Sequence, residues 1–377
     1  MFHPNILHAP AVIVDNGSGL CKSGLAGEKA PRSVLSTIVG RPRESLVMLG
    51  GDRKQYYVGD EAQAKRGILT LKYPMEHGIV TSWDDMEKVW RYVYEQQLKV
   101  NSRERPVLLT EAPLNPLQNR EKMTQVMFES FGVPAMYVAV QAMLALYAAG
   151  NTTGVVLDSG DGVTHSVPMY DGHCLPHSIS RLDFAGRDIT MYFQRLLMQS
   201  GYSYLSTPGR EIVRDIKESL CYIAIDPNKE INKTPEEIHR VYQLPDGHCM
   251  HIGAQLFQAP EALFAPILAG VAEPGIPQMI LSSVMKSDKD IHAHLFSNVV
   301  LAGGSTLFPG IDRRLLIEIQ QQAPNGVFIQ IYAPPDRIHS GWIGASILSS
   351  LPSFQNMWVT VSDYKEFGPA VIHRKCF

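Results

Sequence analysis

A chain of 377 residues has room for two domains of ordinary size, and its formal charge of −3 argues against a protein that binds nucleic acid or anionic membranes. No apolar run approaches the roughly 18 residues that cross a bilayer, and Met1–Pro10 lacks the basic start of a signal peptide. The five cysteines show no zinc-ligand spacing, which predicts free thiols in a reducing compartment. We therefore expect a cytosolic or nuclear protein without membrane insertion.

The first predicted element is a strand that ends in a glycine-rich turn. The aliphatic run Ala11–Val14 leads into Asp15-Asn16-Gly17-Ser18-Gly19, and Lys22 follows close enough to return an ammonium group towards the turn. Such a turn offers backbone N–H groups to phosphate oxygens, and its carboxylate suits a hydrated divalent cation. A single turn of this kind is weak evidence for phosphate binding, because most matches to the pattern are ordinary tight turns.

The next segments alternate between predicted strands and helices. Arg41–Tyr57 reads as a surface excursion around the small apolar tip Leu46–Leu49. A helix is predicted to begin after Ser82 as its N-cap, with Asp85 three residues on. The alternation is typical of α/β architecture.

A compact βαβ unit is predicted further along the chain. Pro106–Thr110 and Met136–Val140 are short apolar strands, and the residues between them show helical spacing up to a stop at Gly132. Parallel strands joined in this way belong to one sheet.

The glycine-rich turn then occurs a second time. Val155–Leu157 leads into Asp158-Ser159-Gly160-Asp161-Gly162, 143 positions after the first copy. Two such hairpins can face each other across a cleft, which predicts a two-lobed nucleoside triphosphate binder. A P-loop is excluded because no GxxxxGK[ST] sequence occurs, and a dinucleotide fingerprint is disfavoured because Lys22 stands where its third glycine belongs.

Further candidate side chains have two interpretations each. Arg214, Lys217 and Glu218 share one helical face, which is either a solvated, salt-bridged surface or a wall for purine and ribose. Gln141 and His165 adjoin apolar strands, and each is either a hydrogen-bonded core side chain or a group that positions the attacking water. No carboxylate is placed as a strong general base, so slow hydrolysis is expected.

Two later segments complete the pattern. Asp226–Asp246 is polar, contains two prolines and breaks the apolar periodicity, so we predict a second excursion. Asn298–Leu301 leads into Ala302-Gly303-Gly304-Ser305-Thr306, another strand followed by a glycine turn, which we place in the second lobe.

At this point the chain resembles actin over essentially its whole length, through the blocks Arg66–Pro74, Leu109–Pro116 and His373–Phe377. The resemblance implies the α/β, two-lobed actin-like ATPase fold, with duplicated ribonuclease-H-like domains and four subdomains around a nucleotide cleft. Residues 1–148 and 340–377 would form the first lobe, with subdomain 2 inserted at about 37–73. Residues 149–339 would form the second lobe, with subdomain 4 inserted at about 185–270.

The resemblance also implies roles for individual residues. Asp15 and Asp158 would hold Mg²⁺ (or Ca²⁺) through water, Gln141 and His165 would be the catalytic, water-positioning pair, and His77 stands where the family carries a methylated histidine. Ser18 and Lys22 would contact phosphates. The set implied to bind ATP or ADP is Asp15, Gly17, Ser18, Gly19, Leu20, Lys22, Asp158, Gly160, Asp161, Gly162, Val163, Arg214, Lys217, Glu218, Gly303, Gly304, Ser305 and Phe308.

Several positions depart from the actin pattern. Met1–Pro10 carries no carboxylate where the family has an acidic segment that docks myosin, and Lys29 reverses a neighbouring charge. Ile338 replaces a lysine that borders adenine, and Phe308 replaces a tyrosine in the same wall. These departures favour an actin-related protein over a conventional actin. The blocks Met1–Pro4, Trp342–Ser346 and Lys365–Gly368 are similar to the testis-enriched T-type actin-related proteins.

The resemblance implies a structural protein of the cytoplasm and cytoskeleton that is at most a slow ATPase. Its expected partners are actin or actin-related proteins, actin-binding proteins such as profilin-like factors, and sperm-head cytoskeletal proteins, with no nucleic acid. Three alternatives stay open: a conventional filament-forming actin, a non-polymerising subunit of a motor or chromatin complex, and a small-molecule kinase of the same superfold. A kinase needs a carboxylate base aimed at a bound hydroxyl, and no residue is obviously so placed.

Overall fold

The computed structural model describes residues 6–43, 54–202, 207–244 and 247–376. The strands in chain order are β1 (Val12–Asn16), β2 (Leu20–Leu25), β3 (Ser33–Ser36), β4 (Val39–Pro42), β5 (Tyr57–Val58), β6 (Leu69–Lys72), β7 (Met75–Glu76), β8 (Ile79–Val80), β9 (Val107–Glu111), β10 (Ala135–Val140), β11 (Gly154–Ser159), β12 (Thr164–Tyr170), β13 (His173–Cys174), β14 (Ser180–Leu182), β15 (Arg240–Gln243), β16 (Cys249–Ile252), β17 (Val299–Ala302), β18 (Ile331–Tyr332) and β19 (Val359–Thr360).

The helices in chain order are α1 (Asp60–Ala64), α2 (Trp83–Tyr92), α3 (Leu117–Val126), α4 (Gln141–Ala148), α5 (Gly186–Gln199), α6 (Thr207–Leu220), α7 (Pro227–Glu230), α8 (Pro235–Ile238), α9 (Gln255–Glu261), α10 (Ile276–Met285), α11 (His292–Phe296), α12 (Ile311–Gln322), α13 (Ser340–Ser350), α14 (Val361–Phe367) and α15 (Ile372–Lys375). Segments Val93–Leu98 and Met127–Phe131 continue α2 and α3 with π geometry. Within the described ranges, no helix combines the length and apolar character needed to cross a bilayer.

The first sheet has the strand order β19-β10-β9-β1-β2-β3. β1 and β2 form an antiparallel hairpin that pairs Asp15 with Lys22, and β9 lies parallel to β1 on its other side. β10 lies parallel to β9, and α3 with its π continuation connects them and ends before Gly132. The predicted βαβ unit is therefore confirmed.

The second sheet repeats this arrangement, with the strand order β13-β12-β11-β17-β18 and β14 paired to β12. β11 and β12 form the antiparallel hairpin, and β17 lies parallel to β11. The predicted strands at Val155–Leu157 and Asn298–Leu301 are confirmed, and the chain has the mixed α/β fold that the sequence indicates. The repeat in sequence is thus also a repeat in structure.

Helices α4 and α13 cross tightly against the first sheet. They approach so closely that a Cβ atom at Gly344 would lie 1.8 Å from the carbonyl oxygen of Leu144, so only glycine fits there. Their apolar side chains join one hydrophobic cluster with Val156 of β11, whereas Val155 and Leu157 belong to a second cluster on the opposite face. The second sheet is therefore covered on both faces.

Two predictions of local structure need correction. Asp226–Asp246 is not one irregular excursion, since it contains α7 and α8 and the strand β15, which forms a hairpin with β16. Ser82 is the N-cap of α2 as predicted, but its hydroxyl donates to the Asp85 carboxylate instead of accepting from a helix N–H group. Asp85 is also paired with Arg41 and Lys88. The predicted apolar tip Leu46–Leu49 lies outside the described residues, as do Met1–Asn5 and Phe377.

Candidate nucleotide site

A cavity of about 300 Å³ lies between the two glycine-rich hairpins. Its wall also includes the turn after β17 and parts of α4, α6 and α13. Every residue that the sequence predicted as catalytic or cofactor-binding lines this cavity: Asp15, Gly17, Ser18, Gly19, Leu20, Lys22, Gln141, Asp158, Gly160, Asp161, Gly162, Val163, His165, Arg214, Lys217, Glu218, Gly303, Gly304, Ser305 and Phe308. The fold therefore brings together residues that are up to 293 positions apart, from Asp15 to Phe308.

The two hairpins share the same turn geometry. Gly17 N–H donates to the Leu20 carbonyl at 3.1 Å, and Gly160 N–H donates to the Val163 carbonyl at 3.1 Å. The turns also touch, because a Cβ atom at Gly162 would lie 2.8 Å from Ser18 Oγ. Glycine-rich backbone of this kind leaves N–H groups accessible to an anion.

Asp15 is anchored by three neighbours at the end of β1. Its carboxylate accepts hydrogen bonds from Thr110 Oγ1 at 2.7 Å and Gln141 Nε2 at 2.9 Å, and it pairs with Lys22 Nζ at 2.9 Å. Burial alone would raise the pKa of Asp15, but the Lys22 charge and hydrogen bonds from Thr110, Lys22 and Gln141 hold that pKa below its ordinary value. Asp15 is consequently ionised at neutral pH.

Asp158, the equivalent residue of the second hairpin, has the opposite shift. Burial raises the pKa of Asp158 to about 6, the nearby Asp15 charge adds to this effect, and Lys22 opposes it. A divalent cation near both carboxylates would favour the ionised form of each. The donor set, two carboxylates of buried strand ends facing one cavity, fits a hard cation with oxygen ligands.

Gln141 and His165 differ in how the protein engages them. The Gln141 side chain, in the first turn of α4, donates from Nε2 to the Asp15 carboxylate, and it also approaches Asn16 O at 2.9 Å and Thr110 Oγ1 at 3.1 Å. The interpretation of Gln141 as a hydrogen-bonded core side chain therefore accounts for its amide nitrogen.

His165 lies directly opposite Asp158 in the β11–β12 register and is 2% exposed. Its Nε2 atom is buried and has no hydrogen-bond partner among the described residues. Burial, reinforced by the Arg181 charge, lowers the pKa of His165 to about 3. The imidazole is therefore neutral at pH 7, which suits it to orient a water molecule and not to act as a strong base.

The α6 residues line the cavity with different degrees of burial. Lys217 is 5% exposed and donates from Nζ to the Gly186 carbonyl at 2.9 Å, so the solvated-surface interpretation is wrong for this side chain. Burial lowers the pKa of Lys217. Arg214 pairs with Glu211 at 2.9 Å, whereas the Glu218 side chain is 62% exposed. The Arg214 side chain is 37% exposed and also lies 3.9 Å from Glu218, so these two residues fit the solvated, salt-bridged interpretation.

Several residues that border the cavity or its hairpins were not found from the sequence. Thr110 holds both the Asp15 carboxylate and Asn16 N–H, at 3.0 Å for the latter. Gly186, Arg337 and Gly341 line the wall. No local pattern marks Thr110. The only signal is the parallel pairing of β1 with β9, which places the two strand ends side by side.

Contacts across the two hairpins close one side of the cavity. His77 Nδ1 lies 2.7 Å from the Gly162 carbonyl oxygen, and Gly78 N–H donates to Ser18 Oγ at 2.9 Å. Arg187 pairs with Asp161 at 3.0 Å and reaches the Ser18 carbonyl at 3.4 Å. The two hairpins are therefore bridged by His77, Gly78 and Arg187, each of which bonds to one hairpin or to both.

A comparison with models of protein families agrees with this architecture. The family model described as Actin matches residues 6–377, which is nearly the whole chain. Actin-family proteins generally bind nucleotide and divalent cations, and they are generally cytoskeletal or cytoplasmic. On the strength of this match and of the duplicated sheets around one cavity, the chain belongs to the actin family.

Proposed function

We propose that this protein is an actin-like cytoskeletal subunit that binds Mg²⁺-ATP in the cavity between its two hairpins and hydrolyses it slowly. The observation that carries the proposal is the duplication itself. Two turns of the same geometry, each following a buried strand and each headed by an aspartate, face one cavity. Each turn offers N–H groups to phosphate oxygens, and Asp15 with Asp158 offers the charge that a hydrated cation needs.

The residues of the cavity wall would have different roles in phosphate binding and in hydrolysis. Lys22, 13% exposed at its side chain, presents its ammonium beside the first turn and would balance phosphate charge. Gln141 and the neutral His165 would orient the attacking water. Bound Mg²⁺ would supply further neutralisation of the phosphate charge. Because none of the described residues of the wall is a positioned strong base, hydrolysis would depend on orientation and charge and would be slow.

The second part of the proposal concerns assembly. Family membership supports actin or actin-related proteins as partners, and the departures from actin support a specialised cytoskeleton such as that of the sperm head, with profilin-like factors as further partners. Glu28 accepts hydrogen bonds from Leu25 N–H at 3.0 Å and Arg32 at 2.5 Å, and Lys29 is exposed. The surface near the N-terminal strand therefore offers little free negative charge, so we propose that myosin does not use this protein as a track.

Thermal melting with and without Mg²⁺-ATP tests nucleotide binding. A ligand that binds only the native state at a hundredfold excess over Kd stabilises it by about 2.7 kcal/mol, so the wild type should melt at a higher temperature when Mg²⁺-ATP is added. The double variant Asp15→Asn, Asp158→Asn should lose that ligand-dependent shift. A wild-type melting temperature that does not depend on nucleotide would contradict the proposal.

Sedimentation tests assembly. The purified protein with Mg²⁺-ATP should co-sediment with actin-like partners, and the sedimented assemblies should not activate myosin ATPase. Strong, salt-sensitive activation of myosin by assemblies of the pure protein would instead indicate a conventional actin. Absence from the pellet, with and without actin, would favour a non-polymerising subunit of a larger complex.

A further inference from the structure

The dipeptide Asn-Gly occurs twice in the chain, in two different environments. Asn16-Gly17 lies at the end of β1 and in the first hairpin turn, and Asn325-Gly326 lies between α12 and β18. The side-chain amide of an asparagine can be attacked by the backbone nitrogen of the next residue, and glycine hinders this attack least because it has no Cβ atom. The two copies therefore have the same covalent chemistry and differ only in the environment that the fold gives them.

The first copy is held by hydrogen bonds on both of its reacting groups. Asn16 is 3% exposed, its Oδ1 atom accepts from Trp90 Nε1 at 2.9 Å, and its Nδ2 atom donates to the Thr110 carbonyl at 3.2 Å. The attacking nitrogen, Gly17 N–H, donates to the Leu20 carbonyl at 3.1 Å. A reaction at Asn16 therefore requires the strand to open, and core strands open with free energies that approach that of global unfolding.

The second copy occupies an exposed turn. Val327 N–H donates to the Pro324 carbonyl at 3.3 Å and closes the turn around Asn325 and Gly326, both of which are exposed. Gly326 has a φ of 84°, in the region that glycine adopts without strain. Among the described residues, neither the Asn325 side chain nor Gly326 N–H has a hydrogen-bond partner, and a Cβ atom at Gly326 would have no neighbour within 4 Å. The turn therefore leaves both reacting groups free to approach each other.

The chain on either side of this turn is anchored. Ala323 N–H donates to the Ile319 carbonyl at 2.8 Å, at the end of α12. Gln330 N–H donates to the Phe296 carbonyl at 3.1 Å, just before β18. A chemical change confined to Asn325 should therefore leave α12 and β18 in place, so the folded protein can carry it.

We propose that Asn325 is a site of spontaneous deamidation, and that aged protein carries aspartate or isoaspartate in this turn. The Gly326 nitrogen attacks Asn325 Cγ, so an N–Cγ bond forms while the Cγ–Nδ2 bond breaks and ammonia leaves with the glycine N–H proton. Water then opens the succinimide at one of its two carbonyl carbons. Either product adds one negative charge, and isoaspartate also lengthens the backbone by one carbon. The new charge lies three residues before Phe328, whose side chain is 68% exposed.

Peptide mapping by mass spectrometry tests the proposal on the full chain, after incubation at physiological temperature and mildly alkaline pH. The Asn325 peptide should show conversion of an amide to an acid, and an isoaspartyl methyltransferase with labelled S-adenosylmethionine should label that peptide. Asn16 should react at least about a thousandfold more slowly, because it reacts only when the strand opens. In guanidinium chloride, which unfolds the chain, the two dipeptides should react at similar rates.

Two results would overturn the proposal. One is an Asn325 that stays intact in the native protein while the denatured chain reacts there, since the folded turn would then prevent the attack. The other is equal rates at Asn16 and Asn325 in the native protein, since the environment of the dipeptide would then have no effect.

The variant Asn325→Gln is the matched control for the site. It keeps an exposed amide in the same turn but moves that amide one methylene farther from Gly326, so the five-membered succinimide can no longer form. The native variant should lose the acidic species on isoelectric focusing and the methyl label on this peptide. Labelling of the same peptide at the wild-type rate would overturn the assignment to Asn325.

Discussion

His165 should make the protein less stable in mild acid, by an amount that follows from its burial. The folded state lowers the pKa of His165 to about 3, from an ordinary value of 6.5. A group with a lowered folded-state pKa disfavours protonation in the native state, so its contribution to stability is complete above pH 6.5 and is lost as pH falls towards 3. Protonation of His165 in the unfolded state therefore lowers the free energy of unfolding by about 1.4 kcal/mol at pH 5.5, and by less than about 0.1 kcal/mol at pH 7.5.

Urea denaturation of the wild type and of His165→Gln, at constant saturating nucleotide, measures this difference. The variant has its own stability at pH 7.5, but between pH 7.5 and 5.5 it should lose about 1.4 kcal/mol less than the wild type. His294→Gln, at an exposed position, controls for the loss of one histidine and should follow the wild type. Parallel stability curves for wild type and His165→Gln would refute the argument, because they would show that burial does not exclude the proton.

Four further predictions concern the cavity. Gln141→Ala should reduce phosphate release by about a hundredfold with nearly intact ATP binding, whereas equal loss of both would make Gln141 structural. Gly162→Ala should lower the free energy of unfolding by about 1–3 kcal/mol and weaken nucleotide binding, because the new Cβ atom would collide with Ser18. The control Gly67→Ala should change neither stability nor binding, because its Cβ atom would have no neighbour within 4 Å. Mg²⁺ affinity should fall as pH drops below about 6, where Asp158 gains a proton, and Asp158→Asn should remove that dependence. Ile338→Lys should slow nucleotide exchange, and an unchanged off-rate would contradict a role for Ile338, which lines the cavity, in nucleotide retention.

The sequence predicted those parts of the fold that depend on local pattern. Asp15 and Asp158 were found because each hairpin is a contiguous strand and turn, and the βαβ unit was found because helical spacing and Gly132 mark its helix. For Arg214, Lys217 and Glu218 the spacing predicts a common face but not the burial of Lys217, whose ammonium donates to the Gly186 carbonyl, 31 positions away.

Other features depend on contacts that no local pattern records. The hydrogen bond from Thr110 to Asp15 depends on the pairing of β9 with β1, which joins residues 95 positions apart and leaves no local pattern in the sequence. Ser82 is the N-cap that its residue type predicts, but residue type does not show that its hydroxyl donates to Asp85, which Arg41 and Lys88 also hold. The lowered pKa of His165 likewise follows from burial in a sheet that forms only in the folded chain.

The position of the second sheet has a consequence for how the protein unfolds. Val156 of β11 shares its hydrophobic cluster with side chains of α4 and α13, while Val155 and Leu157 face the other cluster. If α4 and α13 detached, the Val156 face of that sheet would be exposed to water, at a cost that rises with its apolar area. The amides of β1 and β11 should therefore become accessible to hydrogen exchange in the same global event, and a protein with two similar sheets should denature as one cooperative unit.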